Sequence, residues 1–438
     1  MADILKEYQR LYSPEFREKI CRIYSINVDN STQTKDADTQ LHRYEQLLKR
    51  MTESFGEELS DFTGSISYFS SPGRTEVGGN HTDHNGGRVL AAAVDLDAIA
   101  AAVPVQGGVI EVRSEGFPTD VVGISNLKPI ADEKFKSSAL IRGICARMKE
   151  LGYNIGGFKA CTSSNVLKGS GLSSSAAFEV LMVTILNHFY NDDIIDPITC
   201  AKIAQYAENE FFGKPCGLMD QTACAVGGFI TIDFKDFSAP LVKKVEFDFI
   251  VSGHALVITD TGGNHADLHE DYASIATEMK QAAQAMNAKV LREVQSSSFI
   301  AKISDLRHTI SDRAILRALH FFEDNHRVVL QVEALQRGDF GQFLKLVDES
   351  GRSSWMLCQN CYTCKNPSEQ GVTVALAASR LALSGEGASR VHGGGFAGTI
   401  QAFVPVVILN DYLRKMKKIF GQNACFSLKI RQNGAICI

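Results

Sequence analysis

Gly169-Ser170-Gly171-Leu172-Ser173-Ser174-Ser175 sets two glycines ahead of three consecutive hydroxyls, and a long apolar segment of helical composition, Phe178 to Phe189, follows. A Gly-rich loop entering a helix offers free backbone N–H groups and the positive end of a helix dipole. That geometry suits a polyphosphate, and hydroxyls at the same place can serve a phosphate-bound Mg²⁺. The plainer alternative is a Ser-rich cap on a buried helix. No Gly-x-x-x-x-Gly-Lys-Ser/Thr occurs in the chain, so a nucleotide held here sits on something other than a P-loop fold. Two more Gly-rich stretches stand far from the first: Gly73-Arg74 through Asn85-Gly86-Gly87, and Gly393-Gly394-Gly395-Phe396-Ala397-Gly398. Asp220 follows apolar Leu218 and Met219, a context that predicts a partly buried carboxylate, costly unless paired. Such a carboxylate could accept a proton from an acceptor hydroxyl or hold it electrostatically; its plainer role is a helix cap.

The order of these stretches resembles the superfamily of galactokinase, homoserine kinase, mevalonate kinase and phosphomevalonate kinase. Asn80-His81-Thr82-Asp83 with Asn85-Gly86-Gly87 is similar to the galactokinase signature Gly-Glu-His-Thr-Asp-Tyr-Asn-Gly-Gly. Ala207-Glu208, then Gly213-Lys214-Pro215-Cys216-Gly217-Leu218-Met219-Asp220-Gln221, is a further match, and the likeness spans about residues 65 to 405. It implies an α+β, two-lobed small-molecule kinase fold. The N-terminal lobe would resemble domain 2 of ribosomal protein S5, and the C-terminal lobe would be ferredoxin-like. It also implies an ATP- and Mg²⁺-dependent transferase of carbohydrate metabolism, phosphorylating the anomeric hydroxyl of galactose or a close derivative. By resemblance, Asp220 and Arg74 are catalytic. Asn80, His81, Asp83, Gly217 and Tyr272 bind the sugar. Gly169, Ser170, Gly171, Leu172, Ser173, Ser174 and Ser175 hold the nucleotide, and Ser175 with Glu208 holds the metal. Gly393 to Gly395 would close over phosphates or support the nucleotide loop.

The chain departs from that pattern at Asn80 (usually Glu), His84 (usually Tyr), Glu76 (usually Asn), Gly78 (usually aliphatic) and Ala397 (usually Gly). The family's Glu at position 80 contacts the C6 end of galactose, and Asn lacks its charge. A C6 carboxylate would then meet no repulsion, so a galacturonate 1-kinase stands as the alternative. A non-catalytic sugar sensor is a second, although Ser173 to Ala177, Glu208 and Asp220 are all present. A kinase for mevalonate or homoserine fits poorly with His81-Thr82-Asp83 and Cys216 to Gln221.

These residues need a scaffold. Ile66 to Ser70 reads as a strand into the first motif, and Lys159 to Asn165 as a strand into the phosphate loop. Ala98 to Pro104 and Val109 to Arg113 around Gln106-Gly107-Gly108 read as a β-hairpin. Helices are expected over 135–151, 198–212, 265–295 and 311–348, and strands over 255–259, 388–391 and 399–406. Residues 1–60 read as a helical extension with a polar break over 27–39, residues 61–245 as the N-terminal lobe and 246–438 as the C-terminal lobe. At 438 residues, two domains are expected. A hydrophobic content of 45% with 22% charged residues fits a globular protein, and a net charge of −5 gives no general attraction to nucleic acid or anionic membrane. No apolar run approaches the ~20 residues of a membrane span. The start lacks a signal-peptide core, and eleven cysteines suggest reduced thiols, so a cytoplasmic place is expected. Cys358, Cys361 and Cys364 read as free thiols, since no fourth metal ligand lies nearby.

Overall fold

Alternating apolar runs and helix-period segments build two sheets with helices packed on them. The computed structural model describes residues 4–26, 31–59, 64–167, 171–263 and 268–438, with the backbone alone at 31–35 and 57–59. Among these, twelve strands occur: β1 Ser67–Gly78, β2 Arg88–Val105, β3 Val109–Ser114, β4 Asp120–Gly123, β5 Gly157–Ser164, β6 Phe229–Asp233, β7 Leu241–Val245, β8 His254–Asp260, β9 Ala388–His392, β10 Thr399–Pro405, β11 Cys425–Leu428 and β12 Ile436–Cys437. The larger sheet runs β12-β1-β2-β5-β3-β4, with β6 joining β2 and β7 joining β6; the smaller runs β11-β8-β10-β9.

The expected hairpin does not form. β2 and β3 are both strands, but β5 lies between them, antiparallel to β2 and parallel to β3. Gly157 makes this possible where β5 enters beneath the connecting turn. A Cβ there would stand 2.6 Å from the Val109 carbonyl oxygen and 2.7 Å from that of Gly107.

β1 is the strand that matters most for the site. All of it after Ser67 is buried, and its register with β2 shifts at Pro72/Arg74 and at Glu76/Gly78. Such bulges re-aim side chains. The smaller sheet grips β1 between them. Gln401 Nε2 donates to the Glu76 carbonyl at 2.6 Å, Arg390 Nη1 to the Val77 carbonyl at 2.8 Å, and Thr75 Oγ1 to Gln401 Oε1 at 2.9 Å. The two sheets also share one apolar core, in which Leu90 and Val94 of β2 belong with Leu256 of β8 and Phe403 of β10.

Helices Ile4–Leu11, Pro14–Ile23 and Ser31–Leu59 form a layer on the far face of β1, β2 and β5. Ser13 caps the second, accepting from the Phe16 amide at 3.2 Å ahead of Pro14 at the first position. The polar break expected over 27–39 is helix from Ser31 onward; residues 27–30 lie outside the described residues. Leu11, Phe16, Tyr44, Leu48 and Phe55 pack with Tyr68, Ile99 and Val103. Within that layer Asp97 of β2 is fully buried. It accepts from Tyr24 Oη at 2.5 Å, Arg43 Nη1 at 2.7 Å, Arg431 Nη1 at 3.1 Å and Ser70 Oγ.

Helices appear at Ser137–Glu150, Pro197–Tyr206, His269–Ala285, Asp312–Gln336 and Phe340–Ser353; the one expected over 265–295 stops at Ala285, and 265–267 lie outside the described residues. The last two helices are separate because Gly338 turns the chain with φ +68°. Helix Pro197–Tyr206 continues into a wider turn at Ala207–Phe212, which carries Glu208. No described helix is long and apolar enough to cross a membrane. We propose the lobe boundary after Val245, the end of β7, with the extension as an outer layer. The chain end then returns to the first lobe, since β12 pairs with β1.

Candidate active site

Arg74 leaves β1 at the first bulge and lies almost wholly buried. Its Nε and Nη2 donate to Asp220 Oδ1 and Oδ2, each at 2.8 Å, a two-bond fork. Nη1 reaches the Gly171 carbonyl, and the Arg74 amide donates to the Leu172 carbonyl at 3.1 Å. Ser173 Oγ donates to Asp220 Oδ2 at 2.5 Å. Arginine, carboxylate and phosphate loop are therefore one assembly, tied across 146 residues of sequence. Burial alone would raise the Asp220 carboxyl. The Arg74 charge, its hydrogen bonds and the Ser173 hydroxyl overcome this and hold it below its ordinary value.

Helix Ser174–Tyr190 begins directly beyond Ser173, which has φ +59°. A non-Gly residue in that region is uncommon and is seen where function over-determines the backbone. Ser173, Ser174 and Ser175 are half-buried at the first turn, where the leading N–H groups have no partner within the helix. Gly171 and Leu172 complete the described part of the loop; Gly169 and Ser170 lie outside the described residues.

Residues expected at the sugar gather on one side of this assembly. A Cβ on Gly217 would stand 2.9 Å from Asp83 Oδ2, so this glycine lies directly against that carboxylate. His84 Nδ1 donates to Asp83 Oδ1 at 3.1 Å. Burial would raise Asp83, but His84 and His81 push it down to about 2. Burial, helped by His84, lowers His81 to about 4, so the ring is neutral at pH 7. Its Nε2 donates to the Gly394 carbonyl at 2.9 Å, which leaves Nδ1 as an acceptor. Tyr272 Oη donates to the Gly395 carbonyl at 2.7 Å.

Asn80 differs from expectation. Its carboxamide is fully buried and all four hydrogen-bonding capacities are taken. Nδ2 donates to Glu76 Oε1 and to the Gly393 carbonyl, both at 2.9 Å. Oδ1 accepts from Asn360 Nδ2 at 2.8 Å and Ser354 Oγ at 3.2 Å. Its backbone is held as well, by Asp324 Oδ2 at 2.9 Å and His320 Nε2 at 2.9 Å. The side chain has no group left to offer a ligand.

Residues 139–228 match the model of the GHMP kinases N terminal domain, and residues 52–104 match the galactokinase galactose-binding signature. A galactokinase of Lactobacillus helveticus is 29% identical over 394 residues, covering 87% of this chain and 96% of that one. The galactokinase of Bacillus subtilis is 28% identical over 385 residues, covering 85% and 92%. Among solved structures, Lactococcus lactis galactokinase complexed with galactose superposes with a TM-score of 0.74 at 24% identity, covering 89% of this chain and 99% of that one. Methanococcus jannaschii mevalonate kinase gives 0.60 at 17% identity, covering 84% and 99%.

The chain carries the N-terminal domain of the GHMP kinase superfamily at residues 139–228 and the galactokinase galactose-binding signature at 52–104, and it is similar to galactokinases over most of its length. It is a phosphotransferase with an alcohol group as acceptor, and ATP is the substrate of that superfamily. Against the galactokinase pattern, two of the departures in this chain turn out to be one. The carboxylate sits at 76 and the amide at 80, the reverse of the usual order, and the two hydrogen-bond. Arg390 Nη2 balances Glu76 at 3.2 Å. The charge missing from position 80 is thus present four residues earlier, in a buried ion pair.

Glu208, expected at the metal, is buried. Lys214 Nζ lies 3.2 Å from its Oε1 and Gln221 Nε2 2.8 Å from its Oε2. A carboxylate and the Ser175 hydroxyl are hard oxygen donors that suit Mg²⁺. No group of three His, Cys, Asp or Glu able to hold a metal occurs among the described residues. Sequence reading missed Glu179, although it lies four residues after Ser175 and so on the same helix face. It also missed His320, Asp324, Asn360 and Arg390, whose bonds to Asn80 and Glu76 span more than 200 residues and leave no local signal.

Proposed function

We propose that this chain is an ATP-dependent sugar kinase that phosphorylates the anomeric hydroxyl of galactose or a close derivative. The observation that carries this reading is the Arg74–Asp220–Ser173 assembly. It joins a carboxylate on the sugar side to the start of the phosphate helix.

In the reaction, the bond from the sugar O1 to the γ-phosphorus forms as the bond from that phosphorus to the β–γ bridging oxygen breaks. The hydroxyl proton leaves O1 and passes to solvent. Asp220 accepts a hydrogen bond from that hydroxyl and orients it; held low by Arg74, it is a weak base, so its larger contribution is electrostatic. Arg74 offsets negative charge on the moving phosphoryl group. The first-turn N–H groups and hydroxyls of Ser173 to Ser175 receive the phosphates. Glu208 and Ser175 would hold Mg²⁺, which when bound neutralises charge on the phosphates. Asp83, His81 and the bare backbone at Gly217 receive the sugar.

The test is ATP consumption with galactose, galacturonate, galactosamine, N-acetylgalactosamine and glucose, with the product identified by ³¹P NMR. Galactose should be consumed and the phosphate should be found at C1. A product phosphorylated elsewhere, or no turnover of any of the five sugars, would refute the proposal. Asp220→Asn should leave the fold intact and lower kcat about 10²-fold or more, the scale for removing one electrostatic contact at the reacting centre. Arg74→Ala should lower kcat more than it raises the sugar KM.

A further inference from the structure

One buried polar cluster remains beyond the groups used above. Glu179 is fully buried on helix Ser174–Tyr190, one turn past Ser175. Gln221 follows Asp220 on helix Met219–Val226 and is equally buried. The Gln221 amide nitrogen donates to two carboxylates at once, to Glu208 Oε2 at 2.8 Å and to Glu179 Oε2 at 3.1 Å. Glu179 Oε1 and Gln221 Oε1, both buried, have no hydrogen-bond partner among the described residues. Leaving such atoms unpaired is costly, and so is placing two carboxylates around one amide. Apolar side chains would fill the same space without either cost.

We infer that Glu179 and Gln221 are positioning residues that fix the Glu208 carboxylate for a divalent cation. The Glu208 carboxylate accepts hydrogen bonds, so the amide must turn its NH₂, not its oxygen, toward it. Glu208 Oε2 is thereby tethered, and Oε1 is left facing the exposed, long-stemmed Lys214. A flexible lysine is a displaceable counter-ion for that oxygen. Partners of this kind behind a metal ligand set its orientation and are worth about 10–100-fold in metal affinity.

The inference rests on the proposed reading of Glu208 as a cation ligand, so Glu208→Gln belongs in the test. The affinity of ADP is measured by titration calorimetry in EDTA and across a Mg²⁺ series, for the full chain and for Glu179→Gln, Gln221→Met and Glu208→Gln. Glu179→Gln frees the amide to flip, and Gln221→Met removes the tether at similar volume. Each should raise the Mg²⁺ concentration that half-restores tight ADP binding by about 10-fold or more, with the affinity in EDTA within about twofold of the unaltered chain. An unchanged Mg²⁺ series in both variants, with Glu208→Gln impaired, would overturn this inference alone. An unchanged series in Glu208→Gln would overturn the metal reading beneath it. Should Glu179→Gln fail to fold, Gln221→Met decides.

Discussion

A buried carboxylate needs a cation beside it, and Glu76 has Arg390. Asn80 extends that pair with a neutral donor, so position 80 has no room for a second negative charge. Asn80→Glu should therefore destabilise the protein by about 3–5 kcal/mol, the range for an uncompensated buried charge. The exchange Glu76→Asn/Asn80→Glu should cost less than the two single changes summed, with a favourable coupling of about 1 kcal/mol or more. Denaturant midpoints of the four proteins measure this, and strictly additive values would mean that the two positions act independently. Asp83 near 2 and His81 near 4 imply a second outcome. Asp83 stays ionised and His81 neutral throughout about pH 5 to 8, so neither makes the sugar KM depend on pH there. A KM that climbs steeply as pH falls from about 7 to 5, and that flattens in His81→Asn, would contradict the assignment.

Among elements, β5 carries the most information about how far local patterning reaches. The strands β2 and β3 and the glycines between them were legible, because alternation and turn residues are local signals. Their separation was not, since the strand that divides them arrives some 40 residues later in the chain and only Gly157 marks its entry. Gly157→Ala should lower stability by about 1–3 kcal/mol, the range for overpacking against a fixed backbone. An unchanged melting temperature would show that the connecting turn yields easily. The same division holds in the site. The Gly-rich turn into helix Ser174–Tyr190 was legible because glycines, hydroxyls and a helix follow one another in sequence. The Arg74–Asp220 fork reached the sequence reading only through resemblance to a family, and the saturation of Asn80 was hidden because Asn360, Ser354 and Gly393 come from distant elements.

Across the whole molecule, Asp97 joins the helical extension, β1, β2 and the C-terminal segment at one point. Burial pushes this carboxyl up, but Arg43 and Arg431, with the Ser70 and Tyr24 hydroxyls, bring it below its ordinary value. A carboxyl lowered on folding adds stability that is present above its unfolded pKa, about 4, and is lost as pH falls through the folded value. Asp97→Asn should therefore be about 3 kcal/mol less stable at pH 7, with two guanidinium groups left short of a partner. The gap to the unaltered protein should narrow as pH drops below about 4. A gap that stays constant from about pH 7 to 3 would remove Asp97 from that role. Asn165 accepts from the Asp97 amide at 2.7 Å, one residue past the end of β5 and on the approach to the Gly-rich loop before helix Ser174–Tyr190. The Asp97 backbone is thus one link between the extension and the loop.

The three carbonyls of Gly393, Gly394 and Gly395 already accept from Asn80, His81 and Tyr272 in turn, and that of Gly394 from Asn360 as well. A sugar that engages the His81 Nε2 or Tyr272 hydroxyl as an acceptor exchanges one hydrogen bond for another and gains little heat from it. Its binding enthalpy then comes chiefly from Asp83, from the open Nδ1 of His81 and from the backbone at Gly217. Release of the triglycine turn would return conformational freedom to the chain, since glycine has the most to regain. Binding through that exchange would register in a calorimeter as a modest enthalpy with a favourable entropy, and the turn would gain freedom as the sugar settles.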